Sequence, residues 1–349
     1  MKFSIGAGVD CSLETLVNTR LLIQANSGAG KSWALRRVLE QTHGHVQHLV
    51  IDPEGEFASL RSKFDYVLAA RTGGDTVADP RSAKLLAERL LELGVSAILD
   101  IYELKPHERV RFVRVFCEAL VEAPKHLWHP ALVILDEAHV YAPEVGDAES
   151  ADAVKGLATR GRKRGFCIIL ATQRLSKLHK DAAAECNNKL IGRSSLDVDM
   201  KRASDELGFT TKDQRLALRD LKAGDFLAFG PALTHSVTQV HVGPVLTEHP
   251  KAGSHLAGVV PAPSKKVLAV LSKLADLPAE AEAREKSIDD LKRDNANLRR
   301  SLTEANKLAP APLPAVQVEV PVLSEGDRAY IQAIEGSIAA ALDGLESNQ

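Results

Sequence analysis

The sequence predicts an α/β protein: one three-layer domain with a mostly parallel sheet, followed by a helical tail. Three observations carry this. Apolar runs of strand length alternate with longer amphipathic stretches from the start of the chain to about Val245. The central runs are continuously apolar, as strands of a parallel sheet covered on both faces must be. Beyond Gly243 that texture gives way to prolines and a charged, heptad-patterned segment.

Strands are expected at 20–25, 46–52, 66–70, 96–101, 131–136, 167–172, 189–192, 225–229 and 236–241, with helices at 31–42, 82–93, 108–123 and 201–208. The 349 residues, 45% hydrophobic, suffice for one large domain and an appendage. Aromatics make up only 4%, so Leu, Ile, Val and Ala must build the core. The four cysteines are scattered with no Cys-x-x-Cys pair, which argues against a zinc site or disulfide framework and for a reducing compartment. No apolar run approaches the roughly 20 residues of a membrane span, and no signal peptide opens the chain. A cytoplasmic protein without a membrane partner is expected.

Charge is uneven. The net value is −2, yet the stretch 153–180 holds eight basic residues and no acidic one. Such a band suits a nucleic-acid or phosphate contact, and Lys163, Arg164, Lys177 and Lys180 are the candidates for DNA. The domain is expected over 1–248, with a linker over 249–265 marked by Pro250, Pro261 and Pro263. A helical segment follows over 266–308. There Ile288, Leu291, Asn295, Leu298, Leu302 and Ala305 recur at alternating spacings of three and four. This is either a coiled-coil seam with Asn295 at an a position or an amphipathic helix packed on the domain. A Pro-rich spacer (309–323) leads to a last amphipathic helix (324–349), with Ser324 and Asp327 as its N-cap pair and Ile331, Ile334, Ile338, Leu342 and Leu345 on one face. The Pro-rich breaks predict that residues beyond about 260 stand apart from the domain.

Four motifs carry chemistry. Ala25-Asn26-Ser27-Gly28-Ala29-Gly30-Lys31-Ser32 lies between an apolar strand and a helix, the context of a phosphate-binding loop, although Ala25 stands where that loop usually begins with Gly. Gly28 and Gly30 let backbone N–H groups turn to the phosphates, Lys31 neutralises β/γ oxygens, and Ser32 ligates magnesium; Trp33 completes the candidate nucleotide contacts. ATP and Mg²⁺ are thus the implied ligands. The strand 131–135 ends in Asp136, expected in the metal shell, and Glu137, expected to polarise the attacking water. The next buried strand ends in Thr172 and Gln173; Gln173 is the first candidate for a γ-phosphate sensor and Thr172 the second. The basic turn around Arg160, Arg162, Lys163 and Arg164 offers an arginine finger for a neighbouring subunit, with Arg162 ahead of Arg160, or else a DNA-backbone contact.

The phosphate-binding loop, Asp52-Pro-Glu-Gly-Glu56, Asp136-Glu137-Ala-His139, Arg160-Gly-Arg162-Lys163 and Ala171-Thr-Gln-Arg174 occur in the order seen in ATPases of the HerA/FtsK type, and the chain most resembles the HerA branch over roughly residues 15–245. The resemblance implies a RecA-like motor domain that forms hexameric rings and translocates double-stranded DNA. It implies Glu137 as catalytic glutamate, Gln173 as sensor, Arg162 as trans-acting finger, and Asp52 and Glu56 as residues coupling nucleotide to ring. HerA proteins carry a small β-barrel before the loop, which is not expected in the about 20 residues that precede it here; the winged helix and membrane anchor of FtsK are not visible. A nuclease or other effector partner, in a phage, plasmid or defence setting, is expected. A packaging or conjugative-transfer ATPase shares every active-site residue. A nucleotide-gated scaffold for an effector is the reading from another class.

Overall fold

The computed structural model of the chain describes residues 1–248, 261–308 and 323–346. The linker expected after 248 and the Pro-rich spacer therefore fall mostly outside the described residues. These residues group into two compact units, Met1–Asp289 and Asp290–Gln349.

The chain opens with β1 (Lys2–Gly6), β2 (Val9–Ser12) and α1 (Leu13–Thr19), an antiparallel hairpin and short helix the sequence reading passes over. The strands are only four or five residues long, too short for an alternation to register. The main sheet consists of β3 (Leu21–Gln24), β4 (Gln47–Asp52), β5 (Val67–Ala70), β6 (Thr76–Val77), β7 (Ala97–Asp100), β8 (Ala131–Leu135), β9 (Phe166–Thr172), β10 (Asn188–Gly192), β11 (Asp225–Gly230) and β12 (Thr234–His241). Its spatial order is β12-β11-β10-β3-β9-β8-β4-β7-β5-β6. Pairing is parallel from β6 to β10, while β11 and β12 add an antiparallel edge. The mostly parallel sheet read from the sequence is the one observed.

Helices are α2 (Lys31–Thr42), α3 (Ala83–Leu93), α4 (Pro106–Glu122), α5 (Ala138–Tyr141), α6 (Ala151–Arg160), α7 (Lys180–Ala184), α8 (Asp197–Leu207), α9 (Lys212–Asp220), α10 (Lys265–Leu271), α11 (Leu277–Leu308) and α12 (Glu325–Glu346). Because side chains alternate along a strand, each strand feeds two cores. Leu22, Leu49, Ile51, Val133 and Leu135 face α3, α4 and α6. Leu21, Ile23, Val50, Leu132 and Ile134 face α2, α1 and the hairpin. Helix α8 starts at Asp197, four residues before the expected 201, and the basic segment is a 3₁₀ turn (Gly161–Arg164) continuing α6.

The tail differs from expectation. Val267, Leu274, Leu277 and Ala281 are buried in the same apolar cluster as α3 and α4. Thr76 Oγ1 donates to Leu274 O at 3.5 Å, and Arg89 pairs with Glu280 at 3.6 Å. The helical segment up to Asp289 is thus part of the domain's compact unit. Prolines mark a break in helix, and they carry no information on where the chain docks after it. In the second unit, Ser324 Oγ accepts from Asp327 N at 3.2 Å, and Ser324 N donates to the Asp327 carboxylate at 3.1 Å, closing the cap of α12.

Candidate active site

Sheet order assembles the site. Strand β9 lies between β3, which feeds the phosphate-binding loop, and β8, which ends at the paired acids; β4 follows β8. All four run parallel, so the residues after them emerge at one edge, where open α/β sheets bind ligands.

In the loop, Gly28 (φ 70°) and Gly30 (φ 104°) take left-handed backbone that other residues adopt only with strain. Gly30 is also the N-cap of α2 and supplies no side-chain acceptor, so the first N–H groups of α2 stay available to an anion. The loop is braced from the neighbouring β10–β11 region: Gly224 N donates to Ala29 O at 3.0 Å and Asn26 N to Arg193 O at 2.9 Å, while the Asn26 amide bonds Ser195. The substitution at the loop's first position is explained by Gly192 on β10. A Cβ there would stand 2.8 Å from the Ala25 methyl, so bulk on one residue is matched by its absence on the other.

Lys31 reaches across to the acids. Its ammonium pairs with Asp136 and lies 3.1 Å from Glu137 Oε1, with all three side chains buried. Burial works against the Lys31 charge, but Asp136 and Glu137 outweigh it and hold the ammonium above its ordinary range. Burial, joined by the neighbouring Glu137, lifts the Asp136 carboxyl despite Lys31. Two buried carboxylates share one ammonium, and Asp136 Oδ2 and Glu137 Oε2 are buried without a hydrogen-bond donor. Such an arrangement fits a divalent cation, with Asp136 Oδ2 as an oxygen donor and Ser32 next to Lys31 in the chain.

Glu137 is held in a left-handed conformation (φ 47°, ψ 41°), one of two described non-glycine residues with positive φ. This backbone is strained for a long side chain. Gln173 Nε2 donates to Glu137 Oε1 at 2.7 Å. Thr172 Oγ1 accepts from Arg174 N at 3.0 Å and is hydrogen-bonded to His139 Nδ1, also at 3.0 Å. Burial lowers the His139 pKa, and its Nδ1 lies 3.4 Å from Glu137 Oε2. His139 has no role expected from the sequence; its place two residues after Glu137 is the one local signal for it. Arg174 is anchored to buried Asp199 at 3.0 Å, a pair 25 residues apart that no local pattern marks. A cavity of about 460 Å³ opens beside this cluster, lined by Glu54, Arg109, Glu137, His139, Tyr141 and Gln173 among others.

Asp52 ends β4 directly opposite Asp100 on β7. Burial, reinforced by the like charge of Asp100, pushes its carboxyl up to about 7, although Glu54 N and Phe57 N donate to it at 3.2 and 2.9 Å. A raised folded-state pKa means that the fold favours the protonated acid. No penalty exists below about pH 4, where folded and unfolded chains are both protonated; it grows between about pH 4 and about 7 and is constant above that. Relative to the native chain, Asp52→Asn is expected to gain a few kcal/mol of stability between about pH 4 and about pH 8. Urea unfolding at both values checks this, and a pH-independent difference would remove Asp52 as the titrating group. Glu56 lies beside α2, its carbonyl accepting from Arg36.

The basic residues divide. Arg160, Arg162, Lys163, Lys177 and Lys180 are exposed. Arg164 is not: its guanidinium lies 5.2 Å over the Trp128 ring, and its Nη1 donates to Arg160 O at 3.0 Å. Internal contacts already engage this DNA candidate. Trp33, half-exposed at the start of α2, donates Nε1 to Gly243 O at 3.1 Å.

Parts of the chain are similar to known proteins. The family model for the helicase HerA central domain matches residues 5–144, and that for zonular occludens toxin (Zot) matches 90–204. The chain is 32% identical over 155 residues to a probable DNA double-strand break repair helicase HerA of Methanocaldococcus jannaschii, covering 43% of this chain and 29% of that protein. It is 26% identical over 189 residues to the DNA translocase FtsK of Lactococcus lactis subsp. cremoris, covering 50% and 24%. Over these residues the chain is similar to P-loop ATPases of the HerA/FtsK type. It spans less than a third of the length of either relative. The fold recurs in the plasmid coupling protein TrwB, with a TM-score of 0.50 at 12% identity over 68% of this chain and 88% of that one. No helix among the described residues is long and apolar enough to cross a membrane.

Proposed function

We propose that this chain is an ATP-hydrolysing ring motor that translocates on double-stranded DNA, working with a nuclease or other effector protein. The observation that carries it is the cluster in which Lys31 pairs with the buried Asp136 and Glu137 beside the phosphate-binding loop while Gln173 bonds Glu137. Residues 26–33 cradle the triphosphate, and Lys31 leaves its carboxylate partners for the β/γ oxygens. Asp136 and Ser32 would hold Mg²⁺, which when bound would supply charge neutralisation on the phosphates. Glu137 accepts the proton of the attacking water, and Gln173, already bonded to Glu137, reports the γ-phosphate to β9. Asp52 and Glu56 couple the site to the ring.

Hydrolysis is completed in trans by Arg162, with Arg160 in support. Arg162 is exposed and has no ion-pair partner among the described residues, which suits a group that acts on a neighbour in a hexamer. Arg162→Ala is expected to keep nucleotide affinity and lose up to about 10³-fold or more in turnover. Mixed with Glu137→Gln subunits it should regain activity, because some interfaces then hold both groups. Absence of rescue despite demonstrated subunit exchange would assign Arg162 to its own subunit or to DNA. Lys163, Lys177 and Lys180 provide the phosphate contacts, so affinity for DNA should fall steeply with salt. The motor reading as a whole is tested by ATP turnover with and without double-stranded DNA. Stimulation supports translocation, whereas a nucleotide-gated scaffold has no reason to hydrolyse faster on DNA.

A further inference from the structure

Helix α11 carries one apolar stripe with two fates. At its start, Leu277 and Ala281 are buried on the chain's own domain, 2% and 6% exposed. The same heptad positions continue as Ile288, Leu291, Leu298 and Leu302, which are 51–69% exposed. Arg284 occupies the position between the two stretches and is turned to Glu280 on its own helix at 2.9 Å. The domain covers only the first part of a face that keeps its pattern beyond it.

We propose that α11 pairs with α11 of a second copy of this chain, as a parallel, in-register, two-stranded coiled coil over residues 288–302. Two features select this occupant and this direction. With Ile288 at a, Asn295 also falls at a; in a parallel pair the two Asn295 amides meet and bond each other, which favours two strands and fixes register. In an antiparallel pair Asn295 faces a leucine instead, and a buried amide without a partner is unfavourable. The flanking charges agree. Asp294 is at g and Arg299 at the e position of the next heptad, the two positions that face each other between parallel chains, so two symmetric Asp294–Arg299 pairs form. Antiparallel pairing sets e against e and brings Lys292 towards Arg299. The seam is set by residues outside the nucleotide site, and its assignment stands apart from the motor reading.

Cysteine cross-linking of the full-length chain tests the pairing. The four native cysteines are all buried, so an introduced thiol on the exposed seam is the reporter. Under mild oxidation Leu298→Cys, at d, should give a disulfide-linked dimer, since facing d positions in register bring Cβ atoms within disulfide reach. Arg300→Cys, on the outer face, should form at least about tenfold less. Asp294→Lys should lower the Leu298→Cys yield at low salt, and Asp294→Lys combined with Arg299→Asp should restore it. Equal cross-linking at the two cysteines overturns the proposal. So does a within-chain bridge between Leu298→Cys and Ile334→Cys on α12, or failure of the charge swap to recover the dimer. ATP turnover of the same variants reports separately on the motor.

Discussion

Glu137→Gln is expected to bind nucleotide normally and to turn it over about 10²–10⁴-fold more slowly, the range for loss of a positioned general base. The substitution keeps the size of the side chain and an oxygen for Gln173 while removing the group that accepts the proton. Lys31→Ala is a contrasting case. It removes the charge that binds phosphate, and it also strips the ammonium shared by two buried carboxylates. Breaking a buried pair costs about 3–5 kcal/mol, so Lys31→Ala should melt well below the native chain even without nucleotide, while Glu137→Gln should not. Binding, single-turnover hydrolysis and thermal melts of both variants check this. A near-native rate for Glu137→Gln would exclude it as the base.

The second large effect concerns the end of the domain. A chain ending at Asp289 is expected to melt within a few degrees of the full-length protein, and one ending at Gly258 far below it. The difference is α10 and the start of α11, which bury Val267, Leu274 and Leu277. Full burial of such side chains contributes about 1.5–3 kcal/mol each. For a domain of this size each kcal/mol moves the midpoint by about 2–4 °C, so a drop of about 10 °C or more is expected. Melting curves of the two truncations decide it; coincident curves would return residues 261–289 to the tail.

The parts legible in the sequence share one property: their signal is local. The loop at Ala25–Ser32, the acids after β8 and the apolar runs of the sheet each lie within a few neighbouring residues, so type and spacing alone point to them. What stayed hidden depends on contacts between distant segments. The pairing of Thr172 with His139 joins residues 33 apart, and the exchange of bulk between Ala25 and Gly192 needs β10 beside β3. The heptad at 288–302 was legible because it is periodic. Its continuation through Leu277 and Ala281 was not read, because Arg284 interrupts the apolar pattern between them.

The left-handed backbone at Glu137 sets folding and chemistry against each other at a single residue. Any drift at this position that eased the strain, to glycine above all, would relax the turn after β8 and silence the enzyme together. Glycine at this position would give an inert chain freed of that backbone strain. In the ring proposed above, such chains would be dangerous: assembly-competent subunits that hold ATP and never release their neighbours, so that a minority of altered copies would stall the majority.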